Sequence, residues 1–150
     1  MRIWHYTTFD ALEEIFHDGK IRRDTIIIEG EIPCVWLSTN ARWEESVRKT
    51  LYDPTTGIET PALSRDGLFK AGILPIRIEI NHRNVKITDW EIHCKKIPKK
   101  IAQELEHTAQ EWGANPEEWW VSYQPIPIKS FVSPIEMWDG KQWIKSLVRK

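Results

Sequence analysis

The opening stretch IWHYTTFDALEEIFHDGKI changes its hydrophobic period once, and that change limits what the chain can become. Residues 3–6 read as a short strand ending at Thr7-Thr8. From there Leu12, Ile15 and Phe16 recur at helical spacing. Asp10 with Glu13 three residues on has the spacing of a capping box, and Gly19 supplies a left-handed stop. An ionisable ring, His5, lies inside that first strand between a tryptophan and a tyrosine.

The rest of the chain repeats the alternation. Residues 25–28 and 34–38 read as extended, the second as a central strand after Pro33. Thr39 or Asn40 is positioned to cap a second helix over residues 42–51, where Trp43, Val47 and Leu51 fall four apart. Residues 53–72 are rich in Pro, Gly, Thr and Asp and read as a long loop. Ile76, Ile78 and Ile80 alternate with Arg77 and Glu79, the pattern of a half-buried strand, and residues 85–88 suggest another. Pro98 opens a third helix with a stripe of Ile101, Ala102, Leu105, Ala109 and Trp112, which Gly113 ends. Strands follow at 119–123, 126–132 and 135–138, and the Asp139-Gly140 turn leads to Trp143. The expectation is an α+β fold, one domain over residues 1–150, with mostly antiparallel strands in two small packed sheets and about three helices.

Composition excludes several classes. A net charge of −1 gives no general attraction to nucleic acid or anionic membrane, and the lysines of KKIPKK at 95–100 read as ordinary surface. No segment has the roughly 18 apolar residues of a membrane span, and the N-terminus turns polar at once, so no membrane partner and a cytoplasmic location are expected. Cys34 and Cys94 are far apart without a CxxC, which suits a reducing compartment. The five histidines form no ligand pair at i, i+4, and no metal is expected. His93-Cys94 is the one His/Cys adjacency, and on a strand its side chains would diverge. The abnormal figure is nine tryptophans, which serve either a small core or a pocket that stacks planar rings.

Three separated patches carry candidate chemistry: HYT at 5–7, VWLST at 35–39 followed by ARWEES, and EEWWVSY at 117–123. Each also has a plain reading: a core histidine, a strand end with an N-cap, first-turn glutamates, and a turn after Asn115-Pro116. In order, they resemble the ADP-ribosyltransferase-like superfamily, which includes DarT-type toxins and RNA 2′-phosphotransferases. That superfamily has a histidine on the first strand before an "L..I...G.I" helix, a later aromatic or S-T strand, and a glutamate beginning a strand near the C-terminus.

The resemblance implies an NAD-dependent transferase that cleaves the nicotinamide–ribose bond and moves ADP-ribose to an unknown nucleic-acid or protein acceptor, in a toxin or phage-defence setting. NAD would be substrate and the small-molecule nucleotide partner. By this resemblance His5 orients a ribose with Thr7 beside it. Tyr6 or Trp36 stacks on a ring, Ser38 and Thr39 line the pocket, and Glu118 is the catalytic carboxylate, with Glu117 its competitor. A carboxylate there would stabilise an oxocarbenium-like transition state. The alternative is a non-catalytic, tryptophan-rich nucleotide- or protein-binding module, with the segment 133–143 as an aromatic surface. A phosphotransferase would need arginines converging on a phosphate.

Overall fold

A computed structural model describes residues 1–25 and 28–146. The expected extended segment at 25–28 falls partly on residues 26–27, outside the described residues. Among the described residues nine strands and four α-helices follow one another as β1 (Trp4–Thr8), α1 (Phe9–Asp18), β2 (Lys20–Ile21), β3 (Val35–Ser38), α2 (Arg65–Lys70), β4 (Pro75–Ile80), β5 (Thr88–Asp89), α3 (Trp90–His93), α4 (Lys99–Trp112), β6 (Trp119–Ser122), β7 (Ile126–Pro127), β8 (Phe131–Trp138) and β9 (Trp143–Lys145).

The fold is α+β, as the alternation implied, but the layering differs from two small sheets and three helices. One seven-stranded sheet runs β5-β6-β3-β1-β4-β8-β9, and β2 with β7 makes a separate two-stranded ribbon. Every described pairing is antiparallel. β8 accounts for the difference: it continues from Phe131 to Trp138 and so joins the first half of the chain to β9, where two separate strands had been expected.

β1 sits near the middle of this sheet, and its pleat divides the core. Trp4 and Tyr6 face one side, where they pack with Trp43 and Leu68. Ile3 faces the other, where it joins Leu12 and Ile15 of α1 and the Ile76, Ile78 and Ile80 row of β4. Ile3, Ile76, Ile78 and Ile80 are each at most 2% exposed, so each contributes roughly 1.5–3 kcal/mol of apolar burial. α1 ends as predicted at Gly19, whose φ of 76° is left-handed and whose amide reaches the Ile15 carbonyl at 2.8 Å. Its start is two residues earlier than predicted: Thr8 is the N-cap, without a side-chain bond, and Asp10 lies in the first turn. α4 lays Ile101, Ala102 and Ala109 against Trp90 and Trp119, under the β5–β6 side of the sheet.

Residues 42–51 form no helix, contrary to their four-residue spacing. The carbonyls such a helix would use are taken by side chains from elsewhere. Arg77 donates to the Ala41 carbonyl, and the Arg42 carbonyl accepts from Trp143 Nε1 and Arg65, each at 3.0 Å. Asn40, expected as a helix cap, accepts instead from the Arg42 amide in a tight local turn. The loop at 53–72 conversely hides α2, capped by Ser64, whose hydroxyl accepts from the Gly67 amide. The strand expected at 85–88 begins only at Thr88, after a 3-10 turn at His82–Asn84, and a 3-10 turn at Ile128–Ser130 interrupts the expected 126–132 strand. His93 and Cys94 lie on α3 and the 3-10 turn after it, not on a strand. Among the described residues no helix is long and apolar enough to cross a membrane.

Candidate functional site

HYT, VWLS and WWVS lie on three neighbouring strands of the sheet, β1, β3 and β6, with Glu117 and Glu118 on the 3-10 turn just before β6. The antiparallel registers Trp4↔Ser38 and Ser38↔Trp119 align them in one row, so His5, Ser38 and Glu118 belong to the same end of the sheet. β1 and β4 share five registered pairs, whereas β1 and β3 share one, Trp4↔Ser38. Beyond that pair the His5 side chain, not a ladder amide, meets the β3 backbone: Nδ1 lies 2.9 Å from the Trp36 carbonyl oxygen.

A cavity of about 470 Å³ opens here. Its sheet side is formed by Trp4, His5, Tyr6, Trp36, Ser38 and Trp119. Leu105 and Trp112 of α4 close it opposite, and Glu44 and Ser46 reach in from the irregular 41–46 segment. Of the residues singled out in the sequence, His5, Tyr6, Trp36 and Ser38 therefore meet at one cavity. Thr7 is not in its wall: it is registered against Ile76 of β4. Thr39 is not either: its amide and hydroxyl turn to the Glu118 carbonyl, at 3.0 and 3.5 Å.

Glu118 ends the 3-10 turn Pro116–Glu118, directly before β6, and also stands outside the cavity wall. It is half-buried, and its Oε1 lies 3.4 Å from Asn40 Nδ2. Partial burial and then the negative charge of Glu44 raise its pKa above the usual carboxylate range, and the Asn40 bond opposes them. Glu117 is exposed, so of the two neighbours Glu118 is the one in the site's environment.

Asp24, Glu31 and Glu44 are the carboxylates that do line the cavity, and of these Glu44 is the buried one, which sequence reasoning took for an ordinary first-turn glutamate. It is 5% exposed. Its Oε1 accepts from the Ser38 hydroxyl at 2.8 Å, and its Oε2 from the Ser46 amide at 3.0 Å, the Ser46 hydroxyl at 2.5 Å and Trp119 Nε1 at 2.9 Å. Those four donors span β3, β6 and the loop, so Glu44 ties the ends of both strands to the cavity wall. Nothing in ARWEES separates Glu44 from Glu45, because the bond to Trp119 crosses 75 residues.

The ring donors are similarly occupied. Trp36 Nε1 donates to Asp24 at 3.2 Å, and its ring stands edge-on to Trp119 and to His93. Tyr6 donates to the Asn40 carbonyl and packs edge-on against Trp43, 5.1 Å between centroids. Burial raises the Tyr6 pKa, so it is a phenol at neutral pH. Burial, with Asp24 and Glu31 nearby, pushes the Cys34 thiol up to about 12, which excludes it as a nucleophile.

Burial lowers the His5 pKa, with the Trp36 carbonyl opposing. His93, 2.7 Å from the Tyr123 hydroxyl, is also lowered, by burial and then by the Lys96 charge. Below the unfolded value of 6.5 the unfolded chain takes up protons that the folded rings resist. Stability contributed by these rings is thus present above pH 6.5 and is lost as pH falls from there toward their folded values. Glu118 has the opposite slope, starting at its unfolded value of 4.5 and extending upward. Urea midpoints measured between pH 7.5 and 5.5 should fall with acidification (about the range where histidine titrates). A His93→Gln variant should show a shallower fall.

No known family's model, no curated protein and no solved structure matches the chain.

Proposed function

We propose that the chain is an NAD-dependent ADP-ribosyltransferase-like protein that cleaves the nicotinamide–ribose bond and transfers ADP-ribose to a nucleic-acid or protein acceptor, in a toxin or phage-defence setting. The observation that supports this most is the convergence of three distant motifs on the adjacent strands β1, β3 and β6 around one cavity.

The chemistry follows from the groups at that end of the sheet. The Trp36 carbonyl can only accept, so His5 Nδ1 carries the proton of a neutral ring. His5 Nε2 is then an acceptor for a ribose hydroxyl. Trp36 and Tyr6 supply ring faces for the nicotinamide, and Ser38 a hydroxyl beside them. When the C1′–N bond breaks, its electron pair leaves with nicotinamide and the ribose becomes an oxocarbenium ion. Glu44 and Glu118 stabilise that positive charge. The acceptor's nucleophilic atom then bonds C1′, and its proton passes to Glu118, whose raised pKa suits a base.

A second reading is favoured by one observation: Glu118 is not in the cavity wall. A tryptophan-rich binding module of the same fold would hold the nucleotide without cleaving it. Calorimetric titration with NAD, paired with measurement of free nicotinamide, separates the two. Binding with release supports the transferase, binding without release supports the module, and no binding removes both.

A further inference from the structure

We infer that Tyr6, Arg65 and Arg77 are positioning residues: together they clamp the segment 40–46, and through it they place Glu44 and Glu118, the two carboxylates of the proposed chemistry. What those carboxylates do rests on the proposed function; what holds them rests on hydrogen bonds that do not depend on it.

Three consecutive carbonyls of this segment accept from side chains that lie far away in sequence. The Tyr6 hydroxyl donates to Asn40, Arg77 Nη1 to Ala41, and both Arg65 Nη1 and Trp143 Nε1 to Arg42, the last two at 3.0 Å. Those donors stand on β1, β4, α2 and β9, so the segment is tied to four separate elements. The amides of Asn40, Arg42 and Ser46 bond instead to Ser38 Oγ at 3.1 Å, Asn40 Oδ1 at 2.9 Å and Glu44 Oε2 at 3.0 Å. Each of these bonds spans two residues, so it shapes the turn without setting the place of the turn on the sheet.

The clamp is itself fixed by the sheet. Tyr6 is registered against Arg77, and Arg77 against Glu136, so the three form one row across β1, β4 and β8. A guanidinium presents several donors in fixed directions, and Arg77 gives Nε to Glu136 at 2.9 Å while Nη1 holds the Ala41 carbonyl. Its charge lies 4.9 Å from the Trp143 ring centroid, and that of Arg65 lies 3.6 Å from the Trp138 centroid. The segment they grip carries both carboxylate contacts. Asn40 Nδ2 lies 3.4 Å from Glu118, and Glu44 enters the cavity wall four residues on. A shift of residues 40–42 therefore displaces Glu118 through its Asn40 contact and Glu44 through the backbone. Neither arginine lines the cavity, so both act on placement and not on the ligand.

The test pairs hydrogen exchange with steady-state nicotinamide release from NAD, for the full chain and its Arg77→Gln variant. Amides at 40–47 should exchange about tenfold faster, the effect of losing one charge-assisted bond in a local opening. Those of α1, packed on the other face of the sheet, should be unchanged. kcat should fall about 10–10²-fold, the cost of displacing a positioned group by roughly 1 Å. KM for NAD should stay the same, because Arg77 is not in the cavity wall. Should that variant unfold, Tyr6→Phe, which keeps the ring and removes the hydroxyl donor, should move both readouts the same way. Unchanged exchange at 40–47 in a folded variant overturns the inference, as does faster exchange with unchanged kcat or with a rise in KM in place of the fall in kcat. Faster exchange confined to 40–47, in a chain whose wild type releases no nicotinamide, leaves the clamp standing and removes the transferase. Release by wild type with unchanged exchange in the variant does the reverse.

Discussion

Replacing Glu44 by alanine should lower the unfolding free energy by about 3 kcal/mol, more than any surface carboxylate could. The carboxylate is 5% exposed and accepts from Ser38, Trp119 and twice from Ser46. Alanine leaves those donors facing a void at the junction of β3, β6 and the 41–46 loop. Each orphaned donor costs roughly 1–3 kcal/mol, reduced where cavity water reaches it. Glu45→Ala is the control: it removes a partly exposed pair with Arg48 at 3.4 Å, a pair worth about 0–1 kcal/mol. Urea denaturation of both variants reads the difference directly. A Glu44 loss no larger than the Glu45 loss would mean that the network is not holding the strand ends.

Glu118→Gln should reduce the rate of nicotinamide release from NAD by about 10²–10³-fold, the usual effect of removing one electrostatic contact to a transition state. Glutamine keeps the shape and the contact to Asn40 but can neither carry charge nor take the acceptor's proton. Because the loss belongs to the transition state, NAD affinity should stay nearly unchanged while kcat falls. His5→Ala should act differently, raising KM as well, because in the proposed function it holds a ribose hydroxyl in both ground and transition states. Unchanged kcat in folded Glu118→Gln would remove Glu118 from the chemistry and leave the stabilising role to Glu44 in the cavity wall.

Local period was a reliable guide where a segment buries one face. β1 with α1, the isoleucine row of β4 and the apolar stripe of α4 all lie where alternation or helical spacing put them. It misled at 42–51, where Trp43 and Val47 do reach one cluster but the backbone between them is claimed by Arg77, Arg65 and Trp143. Those partners lie up to 101 residues away, so no local window contains them. The site divides along the same line. His5, Tyr6, Trp36 and Ser38 stand on strands with readable patterns and meet at the cavity. Glu44 stands on a segment without regular structure and owes its position to Trp119, Ser38 and Ser46. Glu118 was legible as a strand-start glutamate, but its displacement from the cavity wall depends on Thr39 and Asn40 gripping the 3-10 turn.

The most direct measurement is free nicotinamide released from NAD by the wild-type chain and by a folded His5→Ala variant, with single-stranded DNA, RNA and protein offered in turn as acceptor. Release by wild type, with ADP-ribose recovered on one acceptor and both lost in the variant, is the expected result. No release with any acceptor, or release that persists undiminished without His5, would contradict the assignment of this cavity to NAD cleavage.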